Sequence, residues 1–192
     1  MAVKSFEEYF AGYSSNFGEE GTRGILADAQ KVLKKCKCPE AVEEFQQLSD
    51  KEQFRLIPDL DVRHSIQSME AVCTLAQQYA TYRATQAPYT FDEYFADYQN
   101  YDKGGKADQR IVAEAKKVFT TLKTPDKIEK FYAAPVEERK KMVTGLSEDH
   151  SGASFHAVCR GAYVYAEYAQ KYIKGDKQSL LGMMAANVSG RN

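Results

Sequence analysis

The chain has 192 residues, 43% hydrophobic and 28% charged, with 12 Gly, 5 Pro and a formal net charge of −1. This is the composition of a folded chain, not a disordered one. Residues 1–86 carry 10 basic and 13 acidic groups and residues 87–192 carry 16 and 14, so the halves stand at −3 and +2, far from the basic footprint that neutralising several phosphates requires, and nucleic acid is not an expected partner.

The chain opens on MAVKSFEEYF. It has no apolar core of signal-peptide length, and Ala2 stands where myristoylation needs glycine. No apolar run approaches the 18 residues or so that span a bilayer. The four cysteines then point to a reducing, cytosolic setting with free thiols.

Phe6, Tyr9, Phe10 and Tyr13 recur at i, i+3, i+4 and i+7, the stripe of an amphipathic helix. Ser5 with Glu8 supplies the S-x-x-E capping box that starts it. Thr22 is expected to cap a second helix, and Cys38-Pro39 places proline at the first position of a third. A break near residues 48–50 opens a fourth, and a long helix follows Asp61. No period-2 run bounded by turn residues signals a strand.

The same series then recurs. SFEEYFAGY at residues 5–13 is matched by TFDEYFADY at 90–98, and ILADAQKVLKKCKCPEAVEEF at 25–45 by IVAEAKKVFTTLKTPDKIEKF at 111–131. AVCTLAQQYATY is matched by AVCRGAYVYAEY, at an offset of 86 after one inserted residue. Thr90 with Glu93, Asp108, Thr124-Pro125 and a break near Ala134-Pro135 repeat the helix starts. The expected fold is all-α: two tandem homologous five-helix bundles from an internal duplication, at 1–86 and 87–175, and a tail at 176–192. Gly175 is the expected stop of the last helix.

Along each long helix, Met69, Cys73, Ala76 and Ala80, and likewise Phe155, Cys159, Ala162 and Ala166, form a narrow seam of mostly small residues. The aromatic stripe of each opening helix is expected to pack on it. Gly152 and Gly161 replace Ile66 and Leu75 and should loosen the last helix by about 1 kcal/mol each.

Few residues nominate chemistry. The P-loop, dinucleotide-binding, zinc-protease, EF-hand and nucleophile-elbow patterns are missing from the sequence. His64 and His150 occupy matching positions, read as three residues beyond a helix cap, with a neutral ring bonded back to the capping region; the sharper alternative is a general base. Cys73 and Cys159 read as small buried hydrophobes. Cys36 and Cys38 offer two thiols without a second pair to close a zinc site, and His156 with Cys159 lacks a third ligand. No metal and no cofactor is therefore expected.

The tyrosines of YVYAEYAQKY include Tyr165, Tyr168 and Tyr172 on one side, with Tyr163 departing from it. Tyr163, Tyr165 and Tyr168, with His64 and His150, are the candidate binding residues. The leading expectation is a non-enzymatic interaction or scaffold protein holding a protein partner, such as a repetitive cytoskeletal polymer gripped twice. The alternatives are a carrier of an apolar small molecule between stripe and seam, and an enzyme with a histidine base. The apolar stretch at 180–186 of the tail is expected to dock on its own bundle, bind a partner or stay unstructured. Neither the partner nor the oligomeric state is readable from the sequence.

Overall fold

The computed structural model describes residues 3–61, 64–99, 105–147 and 150–173. The tail and Gly175 lie outside them. The described residues form ten α-helices and no strand. The chain divides into two compact units, Met1–Pro88 and Tyr89–Asn192.

Unit 1 runs through α1 (Phe6–Tyr9), α2 (Gly18–Lys35), α3 (Pro39–Gln47), α4 (Asp50–Leu56) and α5 (Ile66–Gln86). Ser5 and Glu8 close the expected capping box, as do Ser49 and Glu52 ahead of α4, and Pro39 is the first residue of α3. The cap of α2 differs from expectation. The helix begins after Phe17, through Gly18 at a φ of +76°, a left-handed conformation that glycine adopts without strain. Thr22 lies inside the first turns, buried, where its hydroxyl donates to the Gly18 carbonyl (2.7 Å) and accepts the Ser15 N–H (3.0 Å). A residue type suited to capping is here tying down the preceding loop.

The core of unit 1 is built by α2, α3 and α5. Ile25, Ala29 and Val32 of α2, Val42 and Phe45 of α3, and Val72 and Ala76 of α5 are all within 1% of complete burial. The small seam residues Cys73, Ala76 and Ala80 are buried as well, and α5 packs most extensively on α2 and then α3. The ring contacts that α1 makes on α5 fall on two tyrosines outside that seam. Phe6 meets Tyr79 edge-on at 5.3 Å, and Tyr9 meets Tyr79 and Tyr82 at 5.6 and 4.8 Å. These two tyrosines also grip the backbone ahead of α1: Tyr79 donates to the Lys4 carbonyl (2.8 Å), and Tyr82 accepts the Lys4 N–H (2.9 Å).

Unit 2 runs through α6 (Phe91–Tyr94), α7 (Lys106–Leu122), α8 (Pro125–Ala133), α9 (Val136–Met142) and α10 (Gly152–Tyr168), which ends in a π-helical turn, Ala169–Ile173. Thr90 and Glu93 close a capping box, and Pro125 opens α8. Asp108 is not the cap of α7. The cap is Gly105, and Asp108 is buried two residues into the helix. Ile111, Ala115, Val118, Ile128, Phe131, Val158 and Ala162 fill the core. Tyr165 donates to the Tyr89 carbonyl (3.0 Å) and Tyr168 accepts the Tyr89 N–H (2.8 Å), the grip already seen at Lys4.

The glycines of α10 do not act as mid-helix loosening. Gly152 is the first residue of the helix, capped by Ser151. Gly161 is buried, and a Cβ there would sit 3.3 Å from the Ala115 Cβ, so its bare backbone lets α10 lie close on α7.

Candidate functional site

Both long helices begin two residues after their histidines: the caps are Ser65 and Ser151, so His64 and His150 precede the helix instead of sitting inside its first turn. The reading of both as three residues beyond a helix cap therefore does not hold. Their rings point back into the unit. His64 Nε2 meets Asp28 Oδ2 at 2.7 Å, and Nδ1 meets Ser68 Oγ at 3.0 Å. In unit 2, His150 Nε2 meets Glu114 Oε2, and Nδ1 meets Ser154 Oγ at 3.0 Å. The same set, carboxylate, imidazole and hydroxyl, occurs in both units, and in both the carboxylate lies 36 residues before the histidine.

The carboxylates are the residues that sequence reasoning missed. Asp28 is 2% exposed and Glu114 5%. Asp28 Oδ2 also accepts the Asp61 N–H (2.9 Å), and its Oδ1 pairs with Lys31 at 2.6 Å; Lys31 continues to the Asp59 carbonyl at 2.5 Å. Glu114 Oε1 accepts the Ser147 N–H (3.3 Å) and faces Arg110 Nε at 3.7 Å, while Lys117 reaches the Gly145 carbonyl at 2.8 Å. Each carboxylate thus gathers the segment entering the long helix onto the helix that follows the first loop. One signal was available: Asp28 falls among Ile25, Ala29 and Val32 on an apolar face, and Glu114 among Ile111, Ala115 and Val118.

A carboxylate, a histidine and a serine in line invite comparison with a nucleophilic triad, and the order of bonds is the same; what differs is where the hydroxyl bonds. Ser68 Oγ has one hydrogen and donates within its own helix to the Ser65 carbonyl (3.0 Å), and Ser154 does the same to Ser151 (3.0 Å). Both hydroxyls are thereby engaged in helix-start bonding. Ser68 is 7% exposed, which leaves a substrate no approach in unit 1, whereas Ser154 is half-buried.

Tyr165 and Tyr168 are buried, 3% and 4% exposed, and cannot present a surface. Tyr165 lies 4.8 Å from both Phe91 and Phe119, and burial pushes its phenol up to about 12, with Glu93 and Asp92 adding to the rise. Of the three candidate tyrosines Tyr163 alone stays outside the core, where the Glu167 carboxylate, foremost, raises its phenol.

The thiols are free. Cys36, Cys73 and Cys159 are buried, and burial pushes them up to about 12, 11 and 12. Cys38 is half-buried. Among the described residues no group of three or more His, Cys, Asp or Glu could hold a metal ion. A pH dependence follows. A thiol raised from its ordinary 9.0 to about 12 holds its proton in the folded chain where the unfolded chain has lost it, so stability is intact below pH 9 and falls as pH climbs toward 12. Urea midpoints measured at rising pH should decline over that window, and Cys159→Ala should flatten the decline; an unchanged slope would contradict it.

A concave surface lies in unit 1, a depression of about 600 Å³ lined by residues 13–17 together with Gln67 and Ala71. Neither His64 nor Ser68 lines it. Phe17 is 44% exposed, and Ile66, next in the chain to Gln67, is 86% exposed. Among the described residues no helix is long and apolar enough to cross a membrane. Comparison with protein-family models, curated proteins and solved structures finds no match to this chain.

Proposed function

We propose that the chain is a non-enzymatic protein-binding protein built from a duplicated five-helix unit, with unit 1 docking a partner segment at its depression. The observation that carries this reading is a concave surface lined by a large apolar side chain held in water, Phe17, with the exposed Ile66 beginning the helix whose Gln67 and Ala71 line the same depression. Single exposed apolar residues are ordinary. One that lines a depression is what a partner's anchoring side chain would cover.

The duplication supports the reading indirectly. Positions shared by the halves are mainly those that cap, clasp or pack: Ser5 and Thr90, His64 and His150, Tyr79 and Tyr165. Ile66 and Phe17 align with no apolar residue in the second half, where Gly152 answers Ile66. A repetitive partner gripped by two equal surfaces is for that reason the less favoured form. The histidine-base reading meets hydroxyls already bonded to their own helix starts, and the carrier reading needs room between stripe and seam, whereas the depression is at the surface.

A photo-reactive phenylalanine analogue at position 17 should give a discrete partner adduct in extracts. Ile66→Asp should reduce that adduct about tenfold, since a buried charge without a partner is strongly disfavoured, while leaving the unfolding midpoint within about 0.5 kcal/mol of the parent. Adducts that are indiscriminate, or indifferent to Ile66→Asp, would overturn the reading.

A further inference from the structure

We propose that Tyr132, Arg139, Phe155 and His156 form a second docking face, on unit 2, for an acidic peptide segment of a partner protein. The inference rests on the reading of the chain as a protein-binding protein. Its evidence is separate.

The four side chains come from three helices and touch one another. Tyr132, 44% exposed near the end of α8, stacks on Phe155 at 6.0 Å and 12°, and its hydroxyl meets His156 Nδ1 at 3.2 Å. The Arg139 guanidinium of α9 lies 4.3 Å over the other ring partner, Phe155, and Nη2 donates to the Tyr132 carbonyl at 2.6 Å. Arg139 makes no ion pair among the described residues, and its Nε is the one buried side-chain nitrogen or oxygen there without a hydrogen-bond partner. A guanidinium fixed in this way, stacked on a ring and lacking a carboxylate, is prepared for an acidic group to come from outside.

A structural role alone does not account for the charge. Arg139 satisfies a carbonyl at the end of α8, but Gln53 of α4 does the same for α3, donating to the Phe45 carbonyl at 3.1 Å while 4% exposed. A neutral amide is thus sufficient for the tie. At the positions aligned with Tyr132, Phe155 and His156 the first half has Gln46, Met69 and Glu70. The aromatic and cationic character therefore changes at four touching positions together.

The surrounding charge favours the same occupant. α9 carries Glu137 and Glu138 in its first turn and Arg139, Lys140 and Lys141 in its last, and Lys140 lies 3.8 Å from Glu137. Arg160, one turn beyond His156 on α10, is exposed. Arginine with tyrosine is also the side-chain pair that most often anchors protein interfaces.

The test uses the full chain and a fluorescein-labelled peptide of alternating glutamate and tyrosine, read by fluorescence anisotropy. Saturable binding that weakens with salt is expected, reduced about tenfold by Arg139→Gln, which removes one charge-assisted contact, and likewise by Tyr132→Ala. The urea midpoint of Arg139→Gln should be unchanged, because Gln53 already shows the amide making this tie. Binding unaffected by Arg139→Gln, or confined to a lysine-tyrosine peptide, to phosphatidylserine vesicles or to a single-stranded oligonucleotide, would overturn the inference. Failure here with a retained Phe17 adduct removes this face alone; loss of both removes the protein-binding reading as well.

Discussion

Asp28→Ala is expected to destabilise the chain by about 3 kcal/mol, the lower end of the cost of breaking a buried ionic pair by deleting one partner. The substitution strips an acceptor from three donors at once: His64 Nε2, the Asp61 N–H and Lys31. Lys31 is 36% exposed and turns to water at little cost, which keeps the loss from being larger. His64 and the Asp61 amide have no such recourse beside a site that is 2% exposed. Asp28→Asn keeps one acceptor and should cost about 1.5 kcal/mol, the scale of a charge-assisted hydrogen bond made neutral. The measurement is the unfolding free energy in urea at neutral pH, and a loss under 1 kcal/mol for Asp28→Ala would mean that the carboxylate is not holding the entry to α5.

Tyr165→Ala should cost about 3–5 kcal/mol, as for other buried aromatics truncated to alanine. Its ring is central to the contacts of unit 2, within 5.4 Å of Phe91, Tyr94 and Phe119, and its hydroxyl holds the Tyr89 carbonyl. Tyr165→Phe removes only that hydrogen bond and should cost about 1 kcal/mol. Tyr163→Ala, two residues earlier, should stay within about 0.5 kcal/mol of the parent, the usual range for a surface position. Equal losses at 163 and 165 in thermal or urea unfolding would mean that the two tyrosines do not divide between surface and core.

The helix starts were readable because their physics is local. Ser5 with Glu8, Thr90 with Glu93, and the prolines at 39 and 125 act within a few residues, and each is where the sequence places it. Thr22 misled because a hydroxyl suited to a cap serves equally well one turn later, against a loop, and Asp108 because a carboxyl suited to a cap can also lie buried inside the first turn. The histidines were seen but not their partners. The apolar face on which Asp28 and Glu114 fall marks them as buried, but no local spacing encodes which histidine, 36 residues downstream, is folded onto them. Tyr165 and Tyr168 were named as candidate binding residues, and their burial was not legible because the groups their hydroxyls satisfy belong to the backbone of Tyr89, more than 70 residues earlier. Arg139 carried no sequence signal among the other charges of EERKKM; its lack of an ion pair among the described residues is a property of the packed unit.

The assignment of the histidines to architecture, with function left to surfaces that differ between the units, is tested most directly by a double-mutant cycle at His64 and Asp28. His64→Gln, Asp28→Asn and the double variant are unfolded in urea at neutral pH. A coupling of about 1–3 kcal/mol is predicted, the range for residues within one hydrogen-bonded network. Coupling indistinguishable from zero would contradict the account, since the imidazole would then be contributing nothing through the carboxylate it meets.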